Sequence, residues 1–499
     1  MAKASAESLG GAVASEESIA SYIGAGILSS GGNAVDAAVA TSLALTVLIP
    51  HLGGVGGDFF MLYRSPEGRV FFVNGSGFAP RRLTREEVLG RGLKEIPESG
   101  PLSPTTPGYL AGLYHSWRSF GAMEWASLVK PARLLASRGF PLPPSTARSL
   151  KLRRECLEAD PGSREAVLKA LPREEGSPAR LPGLAALLSG VEEDPLYLYR
   201  GEPAEALEEY LASIGGVMGA EDLAGTRGFT AEPLYSEYRG WKVWEMPPNT
   251  QGITTLHLLM LLEEEEPPEP FSTERVDILT GLARMAYSIR DRYVGDPRYM
   301  PIDPHELARK ETLLKLLGQE ESNGSKAAGD TTFFAVADRE GGIVAGIQSL
   351  FYPWGSCVTE PRFQVTLNNR ARGFTLKEGL PSTLRPGAFP LHTLSSVIME
   401  QRERVIALGA SGGHLRPQQH ALFVTNIVDY GMNVLDAINA PRAVWDPGRG
   451  EILCEEGFGC RPSWRKVERI GVANAVEVVG SVKRGYTDIR GDGLPAVAP

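Results

Sequence analysis

The chain breaks its own pattern at residue 330. From Glu321 to Asp330 it reads Glu-Ser-Asn-Gly-Ser-Lys-Ala-Ala-Gly-Asp, and the next residue opens an apolar run. Small and polar residues in succession predict an exposed, mobile loop. Thr331 to Ala337 and Ile343 to Leu350 are apolar runs around Asp338-Arg-Glu-Gly-Gly342, which predicts a hairpin. A hairpin of that character needs other layers to cover its faces.

Material for those layers lies on both sides. Glu16 to Ser29 and Asn33 to Ile49 read as two helices split by Gly31-Gly32, with Asn33 well suited to cap the second. The glycine-rich turn Gly53-Gly54-Val55-Gly56-Gly57 leads into two strand-like runs, Phe59 to Tyr63 and Val70 to Asn74. Pro101 to Glu320 reads mainly as helices and loops. Strands are expected at Leu394 to Met399 and Val405 to Leu408, then a helix from about Pro417 to Tyr430. No internal repeat is visible. Hairpins between helix pairs predict a layered α+β body, and 499 residues are too many for one small core.

Several function classes drop out early. Net charge is −9, from 51 basic and 60 acidic residues, so nucleic acid is not an expected partner. The N-terminus lacks the apolar core of a signal peptide, and Ala34 to Ile49 is too short to span a bilayer and contains Asp36. No membrane association and a cytoplasmic location are expected. The seven histidines form no H-E-x-x-H, and Cys156, Cys357, Cys454 and Cys460 show no C-x-x-C spacing, so neither metal nor cofactor is expected. Cys454 and Cys460 could meet across a loop, but a reducing cytosol favours separate thiols.

Two nucleophiles compete. Gly409-Ala410-Ser411-Gly412-Gly413 is a G-x-S-x-G between a strand and a helix, the setting of a serine elbow. That mechanism needs a histidine downstream of its serine and acid, yet the last histidine is His420 and lies inside the expected helix. The glycines keep another use, since backbone N–H groups of such a turn can hold an oxyanion. Thr331 is the other candidate. A threonine hydroxyl needs a base beside it, and its own α-amine serves once residue 331 is a chain terminus. Cleavage between Asp330 and Thr331 would free that amine, although a Thr-Thr pair at a strand start also follows from β-propensity alone.

Longer motifs decide between them. Gly31-Gly32-Asn33-Ala34-Val35-Asp36-Ala37-Ala38-Val39-Ala40, Pro50-His51-Leu52-Gly53-Gly54-Val55-Gly56-Gly57, Met246-Pro247-Pro248 and Arg290-Asp291-Arg292-Tyr293-Val294-Gly295-Asp296-Pro297 resemble the γ-glutamyltranspeptidase family. So do Leu367-Asn368-Asn369, Gly412-Gly413, Asp429-Tyr430-Gly431-Met432-Asn433, Asn439-Ala440-Pro441-Arg442 and Asp488-Ile489-Arg490-Gly491-Asp492-Gly493, in order along the chain. The resemblance implies a four-layer αββα Ntn-hydrolase sandwich that matures by cutting itself before Thr331. Residues 1–330 and 331–499 would then associate as one body. It implies Thr331 as nucleophile, its amine as general base and the Gly412 and Gly413 N–H groups as oxyanion hole. Ser349 stands where the family usually has a second threonine.

The departures concern the substrate. The family's Arg-Glu-x-Ala-Pro, whose arginine holds a glutamyl carboxylate, is Ser76-Gly77-Phe78-Ala79-Pro80 here. The asparagine two residues past the second hydroxyl is Phe351. The acid that receives the substrate amine is Gly373, the polar residue three before it is Arg370, and the paired serines are His392 and Thr393. Ile347-Gln348-Ser349-Leu350, Asn369-Arg370 and His392-Thr393-Leu394 are more similar to the branch containing oxamate amidohydrolase. The expected activity is hydrolysis of a small acyl amide, anionic ones such as oxamate included, with Arg370, His392 and Thr393 as binding residues. A glutathione hydrolase or γ-glutamyltransferase is the near alternative, and an unprocessed, non-catalytic member of the fold the distant one.

Overall fold

The computed structural model describes residues 4–317 and 329–499; the expected loop before Thr331 lies largely outside them. Two seven-stranded antiparallel sheets stack face to face. The first runs in the order Ala496–Ala498, Gly11–Ser15, Asp330–Asp338, Ile343–Phe351, Asp58–Arg64, Val70–Gly75, Phe229–Ala231. The second runs Ala4–Ser8, Val482–Thr487, Ala473–Val479, Arg404–Ala410, Val397–Gln401, Trp241–Glu245, Leu234–Tyr238. Each sheet contains strands from both sides of residue 330.

Three apolar cores define the layers. Phe60, Leu62, Phe333, Ala335 and Ile347 of the first sheet meet Ile398, Ala407 and Val476 of the second. The outer face of the first sheet is covered by the helices Ser18–Ser29, Ala34–Leu48 and Tyr109–Phe120, with Trp125–Arg138 packed on Ala34–Leu48. The outer face of the second is covered by Gly252–Leu262 and Arg416–Val428, with Thr273–Tyr293 packed on Gly252–Leu262. The fold is thus the αββα sandwich.

Local signals explain the key elements. Asn33 accepts from the N–H groups of Val35 and Asp36, while the Asp36 carboxylate takes the Asn33 N–H, closing a capping box. All of Ala34–Leu48 is buried, as its apolar run requires. The hairpin turns on Asp338, whose carboxylate accepts from Gly342 N at 2.8 Å and from Ala34 N at 2.9 Å. One carboxylate therefore ties the central hairpin to the helix above it. No helix among the described residues is long and apolar enough to cross a membrane.

Three expectations need correction. The strand expected from Leu394 begins at Val397. Upstream, the Thr393 carbonyl is taken by the side chains of Gln251 and Arg416, so that stretch satisfies its backbone without a ladder. The middle third is not only helices and loops: Leu234–Tyr238 and Trp241–Glu245 form a hairpin that extends the second sheet, with alternating burial in both strands. The cysteines are paired, Cys156 with Cys357 and Cys454 with Cys460, at Cα separations of 5.9 and 6.0 Å that suit a bridge.

Candidate active site

Thr331 is the second residue of Asp330–Asp338 and is buried. The pairing with the neighbouring strand slips there: Asp330 faces Phe351, but Thr332 already faces Gln348. Irregularities of this kind re-aim side chains beside functional sites. The Thr331 hydroxyl points at Ser349 Oγ, at 3.4 Å. Ser349 Oγ also accepts the Phe351 N–H at 2.7 Å, a contact made as the chain leaves the strand with Phe351 at φ +84°.

The glycine pair comes from the second sheet. Gly412 and Gly413 join Arg404–Ala410 to the helix Arg416–Val428, at φ +145° and +54°. Both values favour glycine. A Cβ on Gly413 would lie 2.4 Å from the Gly329 nitrogen, and one on Gly329 would lie 3.2 Å from Gly413 Cα and 2.9 Å from the Phe351 ring. The residues just ahead of Thr331 therefore rest on the Gly-Gly turn. Ser411 has a structural duty instead, its Oγ accepting the Val472 N–H at 2.8 Å.

Arg370, His392 and Thr393 form one cluster. Arg370 is fully buried, donates to Thr393 Oγ1 at 3.0 Å and stacks over the Phe351 ring at 4.2 Å. Burial lowers its pKa to about 10, opposed by the charge of Asp58. Asp58 is the residue that sequence reasoning missed. Its Oδ2 lies 3.0 Å from His392 Nε2 and 3.5 Å from Arg370 Nε, and its Oδ1 accepts the Gly77 N–H at 2.7 Å. A charged residue opening the apolar run Phe59-Phe60-Met61-Leu62 was the available signal. Asp58 also pairs in register with Ser349, which brings the cluster beside the nucleophile strand.

His392 is neutral. Burial, then Arg370, holds its pKa near 3. Its Nδ1 faces the Leu394 N–H at 3.3 Å, which leaves Nε2 to donate to Asp58. Beyond Gly413, His414 is held well below the usual histidine range by burial and by Arg290, Arg370 and Arg416. All three arginines are buried. Guanidiniums thus surround this end of the sandwich, with Asp58 on Arg370 and Asp291 on Arg290.

The sandwich has a counterpart among known proteins. The sequence model described as Gamma-glutamyltranspeptidase matches residues 20–488. The chain belongs to this family. Among γ-glutamyltranspeptidase relatives, it is 32% identical over 489 residues to the glutathione hydrolase-like YwrD proenzyme of Bacillus subtilis, covering 94% of this chain and 91% of that protein. It is 31% identical over 447 residues to the oxamate amidohydrolase proenzyme of Klebsiella pneumoniae, covering 86% and 84%. A cephalosporin acylase from Bacillus halodurans superposes with a TM-score of 0.91 at 29% identity, covering 100% of this chain and 97% of that one. The γ-glutamyltranspeptidase family is one of hydrolases and transferases acting on amides, and this chain is an Ntn-type member of it.

Proposed function

We propose that the chain is a self-processing N-terminal threonine hydrolase that cleaves small, anionic acyl amides. The observation that carries the reading is the seating of Gly329 on Gly413, one residue ahead of the bond to be cut and beside the Thr331–Ser349 pair. In maturation, the Thr331 hydroxyl attacks the Asp330 carbonyl and the amide becomes an ester, which water hydrolyses. Residues 1–330 and 331–499 stay together as one body, their strands interleaved in both sheets.

In turnover, the freed amine of Thr331, with an ordinary pKa of about 7.7–8.0, takes the proton from its own Oγ. The oxygen attacks the substrate carbonyl, and the Gly412 and Gly413 N–H groups hold the oxyanion. The proton passes to the departing amine, and water releases the acyl group. Ser349 orients the Thr331 hydroxyl. Arg370, held by Thr393, Asp58 and the Phe351 ring, takes the anionic end of the acyl group. His392 steadies Asp58 from the other side.

Two features weigh against a glutathione hydrolase or γ-glutamyltransferase. Ser76 supplies no charge for a glutamyl carboxylate. Gly373, at the position of the amine-binding acid, backs onto the chain so closely that a Cβ would lie 2.5 Å from the Leu391 carbonyl oxygen. The two disulfides weigh against the expected cytoplasmic location, since a reducing cytosol keeps thiols apart; cell fractionation decides it. The central test is ammonia release from oxamate and neutral amides, beside γ-glutamyl anilides, by protein whose small piece begins at Thr331. Efficient anilide turnover would replace the proposed substrate class. An intact chain without amidase activity would favour a non-catalytic protein.

A further inference from the structure

The disulfide Cys156–Cys357 spans 201 residues of sequence, and the bond between Asp330 and Thr331 lies inside that span. The other disulfide, Cys454–Cys460, lies wholly beyond it. With four cysteines in the chain, Cys156–Cys357 is the one disulfide that connects residues 1–330 to residues 331–499.

Its position matters as much as its connectivity. Cys357 closes a short loop opened by Phe351. Phe351, Trp354 and Cys357 have φ of +84°, +64° and +55°, where L side chains are disfavoured. Such backbone persists only where its surroundings hold it. Here Tyr352 N–H donates to Asn369 Oδ1 at 3.1 Å, Trp354 N–H to the His51 carbonyl at 2.8 Å and Ser356 N–H to the Leu367 carbonyl at 2.9 Å. At the far end, the Cys357 carbonyl accepts from Ser163 Oγ at 2.8 Å, and its sulfur is bonded to Cys156 on the helix Arg154–Ala159. At the near end, the Phe351 ring lies under Arg370 and its N–H holds Ser349 Oγ. A covalent clasp thus fixes the loop that forms one wall of the candidate site.

We propose that Cys156–Cys357 is the interchain cross-link of the mature enzyme: it joins the two products of self-cleavage and holds the Phe351 loop against Arg370. The joining rests on the self-cleavage proposed above. Forming the bond removes two electrons and two protons from the thiols, taken up by a disulfide of the thiol-exchange class. Opening it with dithiothreitol returns them: one reagent thiolate attacks the Cys156 sulfur, and the second closes the reagent's ring and frees the thiol. While the bond stands, the pieces cannot separate on dilution, because their association is intramolecular.

Denaturing electrophoresis of thiol-blocked protein, with and without dithiothreitol, tests the joining. The purified enzyme is expected as one band near its full 53.8 kDa without reductant and as two pieces with it. Cys156→Ser should give two pieces in both lanes, whereas Cys454→Ser should behave as the parent. Two pieces in both lanes for the parent would overturn the cross-link and leave self-cleavage standing. One band in both would overturn self-cleavage and the joining with it. The clasp is read from kinetics of the folded, cut enzyme. Cys156→Ser and Cys357→Ser should each raise KM for the anionic amide about tenfold with kcat within about twofold, and brief reduction of the parent should do the same. An unchanged KM in all three would overturn the clasp.

Discussion

The backbones of Gly329 and Gly413 are in direct contact, so close that a methyl group on Gly413 would lie 2.4 Å from the Gly329 nitrogen. The contact joins the end of the segment before Thr331 to the turn that carries the proposed oxyanion hole. Gly413→Ala would meet both this obstacle and a φ of +54°. Self-cleavage and amide turnover should each fall about 10²- to 10³-fold, the usual cost of losing one such donor. Ser411→Ala should keep turnover within a few-fold and lose stability, about 1–3 kcal/mol, because the Val472 N–H loses its acceptor. Cleavage time courses and denaturant melts separate the two effects. Wild-type processing by a folded Gly413→Ala protein would move the oxyanion hole elsewhere.

Thr331→Ala should stay whole, since no hydroxyl remains to attack the Asp330 carbonyl. Ser349→Ala should still be cut, but more slowly, because Thr331 loses the oxygen toward which its hydroxyl points at 3.4 Å. Intact-mass measurements over time follow both. A Thr331→Ala protein divided at the same bond would remove Thr331 from the mechanism.

Arg370→Ala should raise KM for an anionic amide about 10- to 100-fold, the range of hydrogen bonds to charged groups. A neutral amide of the same size should change far less. Arg370→Lys should recover little, because an ammonium cannot reproduce a planar fork stacked on Phe351. The ratio of the two KM values is the readout; equal changes for both amides would leave Arg370 a purely structural cation.

Buried histidines make the fold less stable in acid. His51 and His392 are depressed to about 3, and His257 to about 4, in each case chiefly by burial. The unfolded chain takes up protons on these rings below pH of about 6.5, while the folded chain does not. Their stability contribution is therefore present above pH of about 6.5 and lost progressively as the pH falls toward 3. His51→Gln, which can keep the contact with Thr146 Oγ1, should lessen that loss by up to about 1.4 kcal/mol per pH unit. Denaturant melts between pH 7 and pH 4 provide the slope, and an identical slope in the variant would contradict the assignment.

Local chemistry wrote much of the fold into the sequence. The capping box at Asn33, the hairpin around Asp338 and the positive-φ turn at Gly412-Gly413 depend on residues within a few positions of one another, so periodicity, caps and glycines disclosed them. The hairpin Leu234–Tyr238 and Trp241–Glu245 is legible in the same way, from its alternation. The ordered motifs likewise disclose the family and mark the candidate nucleophile. What partners each buried charge was decided by the tertiary structure alone. Asp58 meets His392 across 334 positions because Asp58–Arg64 pairs with Ile343–Phe351 rather than with anything adjacent in sequence, and because the two sheets then stack. Cys156 meets Cys357 across 201 for a related reason: a helix and a distant loop share one surface. A buried guanidinium or thiol takes whichever partner the packing brings within a few ångströms, and strand order, which no local pattern encodes, sets that choice.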